Sequence, residues 1–378
     1  MENKIIYFDH AANTSPFLDV LSTFNKVNEE YIANPSSIHQ EGVKALRLLS
    51  LARTQILDLL DLNNHEVILT SGATEANNLA IQGYCLKYRS RGKHIITSTI
   101  EHPSVLETFR YLETQGFDVS YVKPNVKGEI TLENIKNEIK KDTIFVSIMA
   151  VNNETGTINE IEKIAAYLSS FPKIAFHTDA VQAIGKIRIN FKDVDFISVA
   201  GHKIHALNGS GFLIKNKSLA INPLFYGGGQ ENGLRSGSND LANATSLAKA
   251  LRLSFQNLDR NYQHIKKLHD NLISYLLNNP SLYHINSLSN NPYIVNFSLL
   301  NAKASVIVES LSNAHIMVSS TSACHAHGEK GSYVIKEIFN DNLLANNTIR
   351  LSFDASNNLE EIKSFISLLD KFVHEVKK

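Results

Sequence analysis

The chain has 378 residues, with 37 Lys plus Arg against 37 Asp plus Glu and therefore no formal net charge. That balance gives no overall field toward nucleic acid or an anionic membrane, and the sequence lacks an 18-residue apolar run that would span a bilayer. Its two cysteines, Cys85 and Cys324, exclude a framework of several disulfides and point to a reducing, cytoplasmic setting. The N-terminus is charged and then strand-like to His10, without the apolar core of a secretory signal. The length suits one large core and a smaller one.

In chain order, β-rich runs at 67–70, 94–99, 118–122, 143–151, 173–177, 195–200 and 210–215 are interleaved with helical patterns at 75–88, 103–115, 132–140 and 161–169. This order predicts an α/β fold with a mostly parallel sheet covered by helices. Run 143–151 is almost continuously apolar, as expected of a strand buried on both faces. One long helical pattern follows from about 242 to 278, and the Asn/Ser-rich stretch 286–291 reads as a surface turn. Strands at 294–299, 315–319 and 348–353 and helices at 304–313, 332–339 and 359–378 then predict an α+β unit.

Three strand ends carry candidate chemistry. Leu69-Thr70-Ser71-Gly72-Ala73-Thr74-Glu75-Ala76-Asn77 leaves a strand through a glycine turn and opens a helix. Backbone amides at Ala73 and Thr74 would face outward at the positive end of that helix, where a phosphate is stabilised. The plainer alternative is an ordinary cap in which Ser71 or Thr74 holds its own helix. Asp179 closes a second strand, where open α/β sheets place their sites. It could pair with a protonated ring nitrogen, with Gln182 donating to a ring hydroxyl, or it could simply cap the next turn. Lys203 closes a third strand beside His202. A lysine there is costly to bury unless it is engaged, and a Schiff base would engage it; a solvated lysine is the plain alternative.

Taken together, the motifs resemble the cysteine desulfurases of the NifS/IscS type, in the class V branch of fold-type I pyridoxal-phosphate enzymes. The text that carries the resemblance includes Phe8-Asp9-His10-Ala11-Ala12, Asn34-Pro35-Ser36-Ser37-Ile38-His39, Glu101-His102-Pro103-Ser104-Val105, Asn152-Asn153-Glu154-Thr155-Gly156, Gly201-His202-Lys203, Leu234-Arg235-Ser236-Gly237 and Ile349-Arg350-Leu351-Ser352. It extends over nearly the whole chain. It implies a large domain at 16–258 with a seven-stranded sheet, and a small domain built from 1–15 and 259–378. It implies pyridoxal 5'-phosphate as cofactor and L-cysteine as substrate. By the same resemblance, Lys203 is the Schiff-base lysine, His102 stacks on the ring and assists proton transfer, and Asp179 pairs with the ring nitrogen. Asn153 and Gln182 sit near the ring hydroxyl and substrate, Ala73, Thr74 and His202 hold phosphate, and Arg350 clamps the substrate carboxylate. Cys324 takes the sulfur as a persulfide, leaving alanine. A homodimer with shared sites is implied, in which Ser238 reaches the neighbouring subunit's phosphate where threonine is usual. The sulfur would pass to an acceptor protein, an iron–sulfur scaffold or a tRNA-thiolation enzyme, with no direct contact to nucleic acid or membrane.

Several positions depart from the family's pattern. Ala200 stands where a phosphate-binding serine is usual, so one hydrogen bond should be missing. Ala206-Leu207-Asn208-Gly209 replaces a lysine-bearing loop but keeps a glycine for its turn. Thr321 replaces a glycine at the base of the Cys324 loop, and His10 replaces an asparagine. His325 and His327 flank Cys324, but Cys-His-x-His is not a zinc spacing, and no metal is expected. Cys85 sits on an apolar helical face and reads as a buried hydrophobe. Selenocysteine lyase, another class V reaction and a weakly active assembly platform are the alternative readings.

Overall fold

The computed structural model describes residues 5–288, 291–320 and 331–376. Cys324 and Thr321 lie outside the described residues.

The first half runs β1 (Ile6–Tyr7), α1 (Leu18–Glu30), α2 (Gln40–Leu59), β2 (His65–Thr70), α3 (Ala73–Tyr88), β3 (His94–Ser98), α4 (Pro103–Thr114), β4 (Asp118–Val122), α5 (Leu132–Glu138), β5 (Thr143–Ser147), α6 (Ile161–Leu168) and β6 (Ala175–Asp179). It continues through β7 (Phe196–Ala200), β8 (Gly211–Asn216), α7 (Leu241–Gln256), α8 (Leu258–Leu277), β9 (Tyr283–Ile285), β10 (Ile294–Leu299), α9 (Ala304–Asn313), β11 (Ile316–Met317), α10 (Tyr333–Phe339), α11 (Asn342–Asn346), β12 (Thr348–Ser352) and α12 (Leu359–Val376).

The central seven-stranded sheet has the order β2-β8-β7-β6-β5-β3-β4. From β7 to β4 its strands are parallel; β8 runs antiparallel to both β7 and β2. Strands β3, β5, β6 and β7 are buried along their whole length, which explains their apolar sequence. The expected mostly parallel sheet is present. A second sheet, β12-β10-β9, is antiparallel, and β1 pairs in parallel with β11. The N-terminal segment therefore joins the C-terminal half of the chain, and Asp9 adds a parallel bridge to Ser352.

Three expectations need correction. The single helix over 242–278 is two helices, because Asn257 leaves the helical conformation at ψ 5° and its side chain bonds back to Leu253 O at 3.1 Å. The strand over 143–151 ends at Ser147, although the chain stays buried and continues alongside β6 through Ile148 N to His177 O and Ala150 N to Asp179 O. The stretch 286–291 is not a plain surface turn. Asn286, Ser287 and Asn291 are buried, whereas Leu288 is exposed. Ser287 Oγ donates to Thr155 O at 2.7 Å and Asn291 Nδ2 to Gly156 O at 3.1 Å. Their polarity serves carbonyls of another loop rather than water. Helices α1 and α2 were left unassigned by the sequence pattern.

Candidate active site

Five strands aim their carboxyl ends at one place. β2 leads into the Ser71–Gly72 turn, β3 into His102, β5 into Asn153, β6 ends at Asp179, and β7 leads into Lys203. Around that place lies a cavity of about 690 Å³. Its walls include Ala73, Thr74, His102, Asn153, Asp179, Gln182, His202, Lys203 and Arg350. These are nine of the positions singled out in the sequence, from segments far apart in the chain. Ser238 is not among them: it lies exposed beside a smaller cavity with Arg235 and Asn239, and Ser71 and Gly209 border both spaces.

Gly72 starts the cradle with φ 155° and ψ −178°, a conformation essentially reserved for glycine. The turn also packs directly on β8: a Cβ placed on Gly211 would come within 2.6 Å of Gly72 Cα. Neither Ser71 nor Thr74 caps α3 through its side chain, so the plain capping alternative fails. The first-turn amides have no earlier carbonyl in the helix to pair with. Glu75 reaches back to Ser71 N at 2.8 Å and is held by Arg235 Nε at 2.8 Å. Burial pushes its carboxyl up, but Arg235 and Ser71 outweigh this and leave it below its ordinary range.

Asp179 is buried and accepts from Val181 N at 3.0 Å and from Asn77 Nδ2 at 2.8 Å. The local turn bond is therefore real, yet the carboxylate also lines the cavity. Asn77 spends its other hydrogen on Ser104 Oγ at 2.9 Å, and Ser104 Oγ lies 2.8 Å from His102 Nδ1. Ser104 N also donates to that nitrogen at 3.1 Å. Nδ1 is thus an acceptor, and in the neutral ring the proton sits on Nε2. Asp179 and His102 are joined through Asn77 and Ser104. Solvent reaches the His102 ring through the cavity, but the surrounding protein lowers its pKa, desolvation first, with Asp179 opposing and Lys203 reinforcing.

Lys203 sits on a short 3-10 turn, Gly201–Lys203, after β7. Its ammonium contacts the carbonyls of Ala11 and Ala12, so it is not a freely solvated lysine. Thr14 locks the same N-terminal segment down, its amide and hydroxyl both donating to His202 O at 2.9 Å. The His202 ring is pushed down to about 4, by burial first and then by Lys203 and Lys186. Gln182 is buried, with Nε2 donating to Ala11 O at 3.0 Å.

Arg350 is buried on β12, with Nη1 on Asn153 O at 2.9 Å and Nη2 on Asp9 Oδ1 at 2.8 Å. Its Nε, Asn153 Oδ1 and Asn77 Oδ1 are buried without partners among the described residues. Two further acids matter here: Glu154 lines the cavity, and Glu101 is buried next to His102 in the chain. Glu101 is fully buried, and burial lifts it to about 8; Ser98 and Met149 N pull it down and Asp179 adds to the rise. Glu154 is lifted to about 7 by burial, with Ser332 and Arg350 opposing. Ser332 Oγ donates to Glu154 and also caps α10, immediately after the segment 321–330. Tyr333 OH donates to Glu101 O. Sequence reasoning gave no role to Asn77, Ser104, Asp9, Glu101 or Glu154, although every one falls inside a motif it quoted. Their partners sit on other strands, which motif text does not show.

The donor set fits pyridoxal phosphate. A helix N-terminus suits its phosphate, an acid a ring nitrogen, and a lysine an aldehyde; the volume is in the ~300–1,000 Å³ range of small-molecule sites. Ala200 lines the wall where a hydroxyl was expected to be missing.

The fold and this site define a class. The chain belongs to the class-V aminotransferase family, whose family model matches residues 6–365, and within it to the cysteine desulfurases of the NifS/IscS type. A "NifS/IcsS protein homolog" of Lactobacillus delbrueckii subsp. bulgaricus is 38% identical over 383 residues, covering 99% of this chain and 98% of that protein. A "Cysteine desulfurase IscS" of Methanosarcina thermophila is 34% identical over 380 residues, covering 100% of this chain and 94% of its own length. A solved structure titled "NIFS-LIKE PROTEIN" superposes with a TM-score of 0.91 at 32% identity, covering 98% of this chain and 100% of that one. The fold-type I architecture expected from the sequence is borne out.

Proposed function

We propose that this chain is a pyridoxal-phosphate-dependent cysteine desulfurase that converts L-cysteine to L-alanine and collects the sulfur on Cys324. The observation that carries the reading is the convergence of Lys203, Asp179, His102, Arg350 and the α3 N-terminus on one cavity. Family membership supports it.

In this reading Ala73 N, Thr74 and His202 hold the phosphate, and Asp179 holds the ring nitrogen. Gln182 and Asn153 face the ring hydroxyl, and Lys203 supplies the amine for the aldehyde. Arg350 clamps the substrate carboxylate, a task suited to a planar guanidinium whose other contacts, Asp9 and Asn153 O, already fix its plane. When bound, the cofactor serves as an electron sink that weakens bonds at the substrate's α-carbon and, beyond it, the C–S bond. His102 keeps its Nε2 proton in reach of the cavity because Nδ1 is occupied. The Cys324 thiolate takes the sulfur atom, the C–S bond breaks, and alanine leaves after protonation. Cys324 lies outside the described residues, so its part rests on the motif.

A homodimer completes the reading. Ile32, Ile38 and Tyr226 are 90%, 99% and 82% exposed, apolar side chains that a second protomer would cover. Ser238 stands apart from its own cavity, as a hydroxyl meant for a neighbour's phosphate would. The pairing of β1 with β11 supports assigning 1–15 to the small domain with 259–378. The reading places the enzyme in the cytoplasm, passing sulfur to an acceptor protein of iron–sulfur assembly or tRNA thiolation; among the described residues no helix is long and apolar enough to cross a membrane.

Incubation with L-cysteine and a reductant should release sulfide and alanine in equal amounts. Cys324→Ala should abolish release and keep the cofactor's visible absorbance. No turnover of cysteine or selenocysteine by the cofactor-loaded protein would reject the reading.

A further inference from the structure

Lys186 follows the Asp179–Gln182 motif and has no part in the chemistry above. Its side chain is half-buried, and its Nζ donates to Gln182 Oε1 at 2.6 Å. The other end of that amide donates to Ala11 O, the carbonyl that also receives Lys203. Lys186 and Lys203 border one small cavity of about 30 Å³, with His10, His205 and Asp354. Two cations so placed repel, and the bond to Gln182 Oε1 offsets part of that cost for Lys186.

The amide of Gln182 can be read either way round unless its neighbours decide. Here both neighbours decide alike. Lys186 supplies hydrogens and so demands Oε1; Ala11 O accepts and so demands Nε2. With Oε1 turned to Lys186 and one Nε2 hydrogen on Ala11 O, Gln182 has the second hydrogen of Nε2 left to donate. We propose that Lys186 is a positioning residue: it fixes the Gln182 amide so that this side chain donates to, and never accepts from, the ring oxygen of the bound cofactor.

The inference rests on the cofactor reading above and deepens it. It also accounts for a cost. Burial pushes Lys186 down to about 7, Lys203 adds to this and Asp354 opposes it. A lysine held at such a disadvantage invites replacement by an apolar residue unless the bond to Gln182 has a use.

The effect of losing that bond follows from its kind. Lys186→Met strands a buried carbonyl and leaves the orientation of the amide to Ala11 O alone. One hydrogen bond's worth of cofactor hold is then lost, roughly two- to tenfold in affinity.

A double-mutant cycle on the cofactor-loaded protein tests this, using Lys186→Met, Gln182→Met and both together. The readouts are the pyridoxal-phosphate dissociation constant and the position of the visible absorption band. We expect Lys186→Met to weaken binding and shift the band in the Gln182 background, and to do neither in the Gln182→Met background. Lys186→Arg, which keeps a donor, should restore both. Equal effects in the two backgrounds, or none in either, would overturn the proposal. Should Lys186→Met not fold, the double variant, which removes the stranded carbonyl as well, is expected to fold; its failure too would mean a purely structural lysine and overturn the proposal. A wild-type chain that binds no pyridoxal phosphate would instead reject the functional reading itself, and this proposal with it.

Discussion

Glu101→Gln should change how stability depends on pH more than it changes stability at any one pH. Glu101 is fully buried; its Oε1 accepts from Ser98 Oγ at 2.6 Å and Met149 N at 3.0 Å, while Oε2 has no partner among the described residues. Burial lifts the carboxyl from its ordinary 4.5 to about 8, against those two bonds and with Asp179 adding to the rise. The folded chain therefore holds a proton that the unfolded chain releases between these values. With more protons bound in the folded state, stability falls as pH rises through that window. One proton corresponds to ~1.4 kcal/mol per pH unit, so the loss from 4.5 to about 8 approaches ~5 kcal/mol. Glutamine keeps the oxygen that Ser98 and Met149 use and cannot ionise. It adds N–H groups at the Oε2 position, a cost that does not vary with pH. The variant's curve is displaced vertically but loses the slope due to Glu101. Urea unfolding of both proteins at pH 5, 7 and 9 gives the comparison. The variant should gain on the wild type by several kcal/mol between the ends of the series, on the order of the ~5 kcal/mol above. Curves that run parallel from pH 5 to 9 would refute the reasoning, because the carboxyl would then be ionised in both states or in neither.

The same comparison on Glu154→Gln should show a smaller difference, ~3 kcal/mol, since burial lifts Glu154 only from 4.5 to about 7. Ala200→Ser should tighten pyridoxal-phosphate binding several-fold by equilibrium titration, because one more hydroxyl at the cavity wall adds about one hydrogen bond; unchanged affinity would mean that the position does not reach the phosphate. Arg350→Lys should raise KM for L-cysteine on the order of tenfold or more, measured by sulfide release, since a lysine cannot hold Asp9, Asn153 O and a carboxylate in one plane. Unaltered KM would remove Arg350 from the carboxylate site.

The parallel sheet was legible because burial on both faces leaves apolar runs that survive in sequence, as in 143–147 and 196–200. The N-terminal helices were not. Leu18 in α1 and Val43 in α2 are exposed, which blurs their apolar stripes, and what packs against them is α7, more than 180 residues further along the chain. The long helical pattern after residue 241 hid its break because Asn257 is one polar residue among several in a helix-compatible run, and the end is marked by its backbone conformation and its bond to Leu253 O. The stretch 286–291 misled for a related reason. Asn and Ser suit a wet turn and equally suit a dry one whose partners are backbone carbonyls; composition does not tell the two apart, whereas Thr155 O and Gly156 O do.

The site repeats that division between text and contact. Lys203 and Asp179 could be proposed one by one because each ends or directly follows a strand, and a strand end in an open sheet is already a position in space, whereas His102 came only with the family resemblance. Asn77 and Ser104 could not, although both lie in quoted motifs, because their role exists only between elements. Asn77 is on α3, Ser104 on α4 and Asp179 on β6, and the two helices pack side by side over the sheet. That packing turns one amide into the donor for both Asp179 and the serine behind His102. The consequence is chemical as well as structural. Asn77 has two hydrogens and gives one to each side, so Asp179 is held as an acceptor while Ser104 is driven to donate to His102 Nδ1. A single buried amide thereby holds Asp179 Oδ2 as an acceptor and, through Ser104, leaves the proton of the neutral His102 ring on Nε2. In the proposed desulfurase these donors and acceptors are fixed by a residue that need touch neither cofactor nor substrate.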